Sequence, residues 1–173
     1  MTLDELNALP EPDARERFAR CCGTRWWAQQ MAASRPFRSL AEVHDTAELI
    51  FEAMAEGHWL EAFAAHPRIG EAPGAAGDAA WSEQEQRGAA AASEEDRAAM
   101  AEENAKYEAK FGWPFVVCAT GRTLDEMLVN CVRRQRNAPE KEALVAAAEQ
   151  RAITALRIDK LLAGAEASGE KRE

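Results

Sequence analysis

Three short segments carry the side chains best suited to chemistry on a small molecule. The first is residues 66–70, which read His-Pro-Arg-Ile-Gly. Imidazole is the side chain that exchanges protons most readily near neutral pH. Residues 57–65 are predicted to form a helix, and the residue before a proline avoids helical geometry. His66 is therefore expected just past a helix C-terminus, where the helix dipole favours the protonated ring. The alternative is a histidine that merely caps this helix.

The second segment, residues 82–86, reads Ser-Glu-Gln-Glu-Gln. Ser82 and Glu85 have the spacing of a capping box, so a structural role for both is one interpretation. Glu85 and Gln86 also stand at a predicted helix start after a Gly- and Pro-containing loop, where side chains and backbone N–H groups can face a ligand.

The third candidate is Arg157, between apolar neighbours on a late helix. Its guanidinium can clamp a carboxylate through two hydrogen bonds, or it can extend along the helix to solvent.

Motifs for other chemistries are missing from the sequence. There is no Gly-rich phosphate loop, no nucleophile elbow and no His-Glu-x-x-His pattern. The three histidines, His44, His58 and His66, do not have ligand spacing on one helix, so no metal site is predicted. The four cysteines contain no Cys-x-x-Cys pair and are predicted to be buried, reduced thiols rather than metal or redox groups. They are Cys21, Cys22, Cys118 and Cys131.

Charge and hydropathy exclude several classes of partner. The 173 residues have a formal net charge of −9 and no basic block, which argues against nucleic acid as a partner. A small anionic substrate remains compatible, because it needs one or two local cations. No apolar run has the length of a transmembrane helix and the start of the chain has no signal-peptide pattern, so we expect no membrane partner and a cytoplasmic location.

The elements that must position the candidate residues are predicted to be helices. Alanine and glutamate are abundant and β-branched residues are sparse, which favours helix over strand. Helix starts are predicted near Thr24, at the capping boxes of Ser39 and Thr123, at Ser93, and at Pro139. Residues 113–118 resemble a strand but have no second strand to pair with, and are interpreted as a short extended connector. The prediction is an all-α, single compact domain of about seven or eight helices over residues 1–163, with a disordered tail at 164–173.

In combination, several motifs resemble the 2-oxo-4-hydroxy-4-carboxy-5-ureidoimidazoline (OHCU) decarboxylase family. The resemblance extends over nearly the whole chain and rests on the order and spacing of its parts. These are Asn7-Ala-Leu-Pro10, Cys21-Cys22-Gly23, Arg35-Pro-Phe37, Ala65-His-Pro-Arg-Ile-Gly70, Ser82 with Glu85-Gln86, Lys110-Phe-Gly-Trp-Pro-Phe-Val-Val-Cys-Ala-Thr-Gly121, and Glu149-Gln150 with Leu156-Arg157.

The resemblance implies an all-α homodimer that needs no cofactor and converts OHCU into (S)-allantoin during urate degradation. Carried over by position, His66 and Glu85 are the candidate catalytic residues. The candidate substrate-binding residues are Pro67, Ser82, Gln86, Phe115, Val116, Val117, Cys118, Ala119 and Arg157, the connector contributing through its backbone groups.

Two alternative functions remain open at this level. A related decarboxylase acting on another ureido or imidazoline compound would carry the same motifs, because ring substituents are selected by pocket shape. A non-catalytic helical interaction module would explain the Ala-rich helices, but not the His-Pro turn together with Ser82, Glu85 and Gln86.

Overall fold

The computed structural model describes residues 1–69 and 93–163, and the regular elements in these ranges are all α-helices. In chain order they are α1 (Leu3–Ala8), α2 (Glu11–Cys22), α3 (Arg25–Ala33), α4 (Leu40–Glu52), α5 (Glu56–Ala64), α6 (Glu94–Phe111), α7 (Leu124–Arg134) and α8 (Pro139–Leu162). The predicted all-α class is thereby confirmed. None of these helices combines the length and apolar character that crossing a membrane requires.

The predicted helix starts within the described residues are confirmed, with differences in detail at Ser39 and Thr24. Ser93 and Thr123 form reciprocal capping boxes at the starts of α6 and α7. Ser39 also accepts a hydrogen bond, from the backbone N–H of Glu42 at 3.1 Å. The Glu42 carboxylate, however, accepts from the backbone N–H of Arg38 at 2.7 Å and pairs with the Arg38 guanidinium. Because the neighbouring cation draws this carboxylate away, only half of the predicted box forms at α4.

Two further predicted helix starts are those at Pro139 and near Thr24. The last helix, α8, begins at Pro139 as predicted, since a proline at the first helical position lacks only an N–H that would be unpaired there. Thr24 precedes α3, but its side chain makes no capping hydrogen bond. Helix α3 ends at Ala33, shortly before a cis peptide bond between Arg35 and Pro36.

The described residues cluster into two compact units, and the first contains Met1–His58 together with the described residues from Arg151 to Ala163. Its aromatic core centres on Phe18, whose ring packs edge-on against Trp27 at 6.1 Å and Phe37 at 6.2 Å between centroids. Asn7 joins α1 to this core through two hydrogen bonds with the backbone of Phe37, of 2.8 and 2.9 Å. Asn7 thus has a structural role in the first unit.

Arg35 performs a related role at the ends of two helices. Its Nη1 donates to the carbonyls of Leu6 at 2.7 Å and Leu9 at 2.8 Å, and its Nε donates to the carbonyl of Ala32 at 3.0 Å. The last carbonyls of a helix have no partner within the helix, so these bonds satisfy the C-terminal ends of α1 and α3. The motifs around Asn7 and Arg35 therefore stabilise the fold.

The second unit contains Trp59–Gln150. Tyr107 on α6 lies in its core, with ring centroids 4.7 Å from Phe111 and 5.2 Å from Phe115. Residues 113–119, called the connector below, are neither helix nor strand, and Phe115 is 2% exposed. This confirms the interpretation of the segment as a buried, non-helical connector.

The four cysteines are free thiols, and three of them are buried as predicted. Burial raises the pKa of Cys21 to about 12 and that of Cys131 to about 11. Both thiols are therefore protonated at neutral pH, and a protonated thiol is a poor nucleophile. Cys118, in the connector, is half-buried.

Candidate active site

His66 lies on the turn that follows α5, in the second unit. The helix ends at Ala64, and the backbone N–H of His66 still bonds to the carbonyl of Phe63 at 3.1 Å. The residue is half-buried. This location, one residue before Pro67 and just past a helix C-terminus, is the one that the sequence predicts. Residues 65–69 are called the His66 turn below.

One ring nitrogen of His66 contacts a helix that is distant in sequence. Its Nε2 lies 2.6 Å from Oε1 of Gln150, 84 residues further along the chain. Gln150 is a residue of α8 and is 0% exposed. This nitrogen is therefore held by a side chain on a regular helix rather than by the last carbonyls of α5.

Helix α6 fixes the rest of the His66 turn through two side chains. Nδ2 of Asn104 donates to the carbonyl of Ile69 at 3.0 Å in a buried environment. Glu108, one helical turn further along, accepts from Nε of Arg68 at 2.8 Å. Because positions four apart share one face of a helix, a single face of α6 holds both residues that follow Pro67.

The connector is held at two backbone groups. Nη1 of Arg134, on α7, donates to the carbonyl of Val116 at 2.8 Å. The carboxylate of Glu149, on α8, accepts from the backbone N–H of Cys118 at 2.8 Å. Glu149 directly precedes Gln150, so two successive residues of α8 bind the connector and the His66 turn.

A buried cluster of charged and polar groups lies behind the connector. Arg134 is 2% exposed and its guanidinium pairs with the fully buried Glu142 at 2.6 Å. The Tyr107 hydroxyl donates to the same carboxylate at 2.5 Å, and Nδ2 of Asn137 donates to its other oxygen at 2.7 Å. The guanidinium also stacks over the ring of Phe115 at 4.7 Å. Both charges are thus paired and hydrogen-bonded, the arrangement in which buried charges are tolerated.

Tyr107 illustrates the electrostatic character of this cluster. Burial raises the pKa of its hydroxyl well above the usual value, and the hydrogen bond to Glu142 raises it further. The group therefore stays protonated and acts as a donor to the carboxylate. This is consistent with a structural role for the cluster, since Tyr107 holds its proton throughout the neutral range.

The remaining predicted site residues of the second unit have different degrees of exposure. Pro67 and Cys118 are half-buried. The other connector residues in the predicted set are buried, and they are Phe115, Val116, Val117 and Ala119. Ser82, Glu85 and Gln86 lie outside the described residues, as does the predicted tail at 164–173.

Arg157 belongs to the first unit and is 6% exposed. Its Nη1 lies 3.4 Å from the carbonyl of Arg20 on α2. The side chain does not extend to solvent, which removes the ordinary interpretation of an arginine between apolar neighbours. A buried guanidinium offers a planar set of donors for a carboxylate or a carbonyl.

A groove of about 620 Å³ in the second unit lies beside the end of the connector. Its lining includes Arg122, Arg133 and Glu149, and none of the sequence-predicted site residues. Glu149 is already engaged there by Arg122 and by the backbone N–H of Cys118. Arginine stays protonated in proteins, so Arg122 and Arg133 are poorly suited to exchanging a proton with a substrate. We therefore place the candidate site at His66 rather than in this groove.

Two residues of the site carried no role in the sequence analysis. Gln150 and Glu149 were part of the family-like pattern, but spacing along one chain could not show that they reach His66 and Cys118. The signal was present as an adjacent polar pair on a predicted Ala-rich helix. Within residues 1–69 and 93–163, no three His, Cys, Asp or Glu side chains are grouped so as to hold a metal ion.

Comparison with known proteins now identifies the family. A model of the OHCU decarboxylase family matches residues 7–159. The chain belongs to the OHCU decarboxylase family. A crystal structure of an OHCU decarboxylase in the presence of (S)-allantoin superposes with a TM-score of 0.77 at 39% identity, covering 86% of this chain and 98% of that one. An (S)-allantoin synthase superposes with a TM-score of 0.70 at 16% identity, covering 94% of this chain and 54% of that one, which shows a shared fold.

Two of the curated relatives are much longer than this chain, and a third is of similar length. The uric acid degradation bifunctional protein TTL of Arabidopsis thaliana is 39% identical over 82% of this chain and 45% of its own length. The bifunctional protein PucL of Bacillus subtilis is 25% identical over 83% of this chain and 30% of its own length. This chain thus spans less than half of either bifunctional relative. The OHCU decarboxylase of Haloferax volcanii is 26% identical over 91% of this chain and 94% of its own length.

Proposed function

We propose that this protein is a carboxy-lyase that converts OHCU into (S)-allantoin in urate degradation, without a cofactor. The observation that carries the proposal is the half-buried imidazole of His66, on a turn after a helix and 2.6 Å from Gln150, in a chain of the OHCU decarboxylase family. A half-buried histidine is partly accessible from solvent, and an imidazole can exchange a proton with a small molecule near neutral pH.

The substrate itself supplies the electron sink for the reaction. One ring carbon carries both the carboxylate and a hydroxyl, and the neighbouring ring carbon forms a double bond to nitrogen. When the carbon–carbon bond to the carboxylate breaks, carbon dioxide leaves and the electron pair of that bond forms a double bond between the two ring carbons. The π pair of the carbon–nitrogen double bond shifts to the nitrogen. The hydroxyl then loses its proton to become the ring carbonyl, the neighbouring carbon gains a proton, and a second proton neutralises the nitrogen. Proton transfers of this kind are the work of positioned side chains.

Within this scheme His66 is the proposed acid–base residue that takes the hydroxyl proton. Glu85, carried over from the family pattern, is its proposed catalytic partner, and either group then returns a proton to the neighbouring carbon. Since the uncatalysed reaction gives racemic product, the distinctive task of the site is to protonate one face of that carbon.

The proposed substrate-binding residues are assigned by their position in the family pattern. They are Pro67, Ser82, Gln86, Phe115, Val116, Val117, Cys118, Ala119 and Arg157. The carbonyl of Val116 and the N–H of Cys118 already bind Arg134 and Glu149. The connector is therefore proposed to contact the substrate through groups other than the Val116 carbonyl and the Cys118 N–H. Arg157 is proposed to orient an anionic or carbonyl group of the substrate, for which a guanidinium suits the geometry.

No metal or organic cofactor enters the proposal, because the carbon–nitrogen double bond of the substrate accepts the electron pair that a cofactor would otherwise accept. Activity should survive exhaustive dialysis against a chelator. Loss of activity on chelation, with recovery on adding back one metal, would contradict this part of the proposal.

We further propose that the protein acts in the cytoplasm as a homodimer. Support comes from the family pattern and from two exposed apolar side chains, Val129 on α7 at 68% and Leu144 on α8 at 61% exposure. Light scattering after size exclusion should give twice the 19.0 kDa mass of one chain.

The function is tested by generating OHCU from urate with the two preceding enzymes of the pathway and adding this protein. Circular dichroism of the product should show one-handed allantoin, while a sample without the protein gives racemic product. Racemic product at the spontaneous rate in the presence of folded protein would refute the proposed activity. A related decarboxylase would instead leave OHCU untouched and act on another ureido or imidazoline compound.

A further inference from the structure

The contact between His66 and Gln150 constrains the protonation of the imidazole. Oε1 of an amide is an acceptor, so Nε2 of His66, 2.6 Å away, must carry the hydrogen of this bond. In the neutral ring the lone pair then resides on Nδ1. A single amide thereby fixes both the orientation of the ring and which of its nitrogens can accept a proton.

Gln150 is well placed to impose this constraint. It is 0% exposed and lies within α8, so its side chain is confined by its surroundings. The preceding residue, Glu149, is bound to the backbone N–H of Cys118. The part of α8 that carries Gln150 is therefore tied to the connector, and it offers His66 a fixed acceptor.

The acceptor at Nε2 of His66 is uncharged, although charged groups lie on the elements around the ring. Those groups are Glu61 on α5, Arg68 in the turn, Glu108 on α6 and Glu149 on α8. Arg68 pairs with Glu108 at 2.8 Å, and Glu149 with Arg122 at 3.4 Å. Glu85, which the family pattern assigns to the site, lies outside the described residues. A neutral acceptor orients the imidazole without the strong bias toward the protonated ring that a carboxylate would exert.

We propose that Gln150 is a positioning residue, which holds His66 with the hydrogen on Nε2 and leaves Nδ1 as the nitrogen that exchanges protons with the substrate. An amide at this position orients the ring without placing a charge beside Nε2. The kinetic part of this inference rests on the proposed decarboxylation, whereas the titration of His66 can be measured without any substrate.

Two substitutions at this position should move His66 in opposite directions. Q150E places a carboxylate beside Nε2, and an opposite charge at this range shifts a pKa by about 1–3 units toward the charged form. We expect the pKa of His66 to rise by at least about one unit. Q150M keeps the volume but removes the acceptor, and the hydrogen bond to the charged ring is the stronger one. We expect the pKa of His66 to fall below that of the parent protein.

Q135M is the matched control. Gln135 is another glutamine of the second unit, and its amide donates to the carboxylate of Glu103 at 2.7 Å. The same substitution there also removes a side-chain hydrogen bond, but not one to His66. Its His66 titration and its pH profile should match those of the parent protein.

The experiment follows the ring carbons and nitrogens of His66 by nuclear magnetic resonance from acid to alkaline pH in all four proteins. Two-bond proton–nitrogen spectra report which ring nitrogen carries the hydrogen. In parallel, kcat and KM for one-handed allantoin are measured over the same pH range. Melting curves show whether each variant is folded. If Q150M does not fold, the His66 titration is compared between the parent protein and Q150E, which keeps a polar side chain of similar size.

The expected kinetic pattern follows from a base that must be neutral to act. Q150E should lose activity at neutral pH and regain it toward alkaline pH, as its acidic limb moves with the pKa of His66. Q150M should lose kcat about tenfold at every pH, part of the roughly 10²–10⁴ that a positioned acid–base group contributes. KM should change by no more than about twofold in either variant, since Gln150 is proposed to act through His66 rather than on the substrate.

Identical His66 titrations in the parent, Q150E and Q150M would overturn the inference, whatever the activities. An Nδ1-protonated neutral ring in the parent protein would do the same. If the parent protein makes no one-handed allantoin but His66 responds as described, the proposed function fails and the assignment of Gln150 stands.

Discussion

The His66 turn and the connector are both non-helical segments of the second unit, yet different kinds of contact hold them. The connector is bound by Arg134, which is itself paired with Glu142 at 2% and 0% side-chain exposure. The ion pair that helps to hold the His66 turn, Arg68–Glu108, has side chains that are 46% and 33% exposed. Breaking a buried ion pair leaves an uncompensated charge, whereas an exposed pair contributes little. The comparison indicates that stability depends on the contacts of the connector, and that the turn can keep a half-exposed imidazole for chemistry.

The largest effect is expected from removing the imidazole itself. H66N should reduce the formation of one-handed allantoin by about 10²–10⁴, or roughly 3–5 kcal/mol of transition-state stabilisation, because it deletes the acid–base group. The free energy of unfolding should change little. Since the uncatalysed reaction continues, enantiomeric excess must be scored by circular dichroism rather than substrate loss.

The control is H44N, the same histidine-to-asparagine substitution at a position in the first unit. His44 pairs with Asp159 in the first unit at 2.7 Å, and its replacement should leave product handedness unchanged. Folded H66N protein within a few-fold of the parent activity would reduce His66 to the helix cap that the sequence also permitted.

A loss of stability of comparable size is expected from Glu142. E142Q removes the charge that compensates Arg134 in the protein interior, which typically costs about 3–5 kcal/mol. Urea unfolding should show this loss, and E140Q, at an exposed position in the first turn of α8, should not. Equal urea midpoints for E142Q and E140Q would show that the buried Arg134–Glu142 pair does not stabilise the protein more than an exposed group does. The proposed difference between the connector and the His66 turn would then be lost.

Arg157 extends the comparison to a second buried arginine. R157K keeps the charge but loses the planar fork, so it should remain impaired by roughly 10- to 100-fold, the equivalent of one lost hydrogen bond to a charged group at about 1.5–3 kcal/mol. R157A should be no more active than R157K. Full activity of R157K would disprove bidentate recognition, and full activity of R157A would remove Arg157 from the site.

The smallest effect is expected at the exposed contact of the His66 turn. R68A removes the pair with Glu108 and should lower the free energy of unfolding by at most about 1 kcal/mol. The hydrogen bond from Asn104 to Ile69 remains and should preserve most of the activity. A loss as large as that of E142Q, measured in the same urea series, would show that the turn and the connector are not held differently.

Local features of the sequence were sufficient for most of the helices, although no start was predicted for α1 or α2. The capping residues Ser93 and Thr123 and the proline at 139 act within one helical turn, so their effect can be read along the chain. The box at Ser39 is instructive, because a cation immediately before it, Arg38, competes for Glu42. Local competition of this kind is not apparent from the box spacing alone.

The position of His66 on a turn was also predictable, since Pro67 restricts the residue before it. Its partner was not. Gln150 is 84 residues away, and an amide in an Ala-rich helix has no feature in the sequence that marks it as the acceptor for a histidine. The partners of Asn7 and Arg35, which belong to the family-like pattern, were not predictable either. Asn7 binds the backbone of Phe37 in the aromatic core, and Arg35 binds carbonyls at the ends of helices.

The sequence by itself determined the helical class, most helix starts, the connector and the turn that carries His66, because each depends on neighbours a few residues apart. Only the tertiary structure decided which groups are paired. It assigned Gln150 to His66, Glu149 to Cys118 and Arg134 to Glu142. The first two pairings join segments far apart along the chain, and the third joins the consecutive helices α7 and α8. In each case packing selects the partners by shape, burial and charge rather than by spacing.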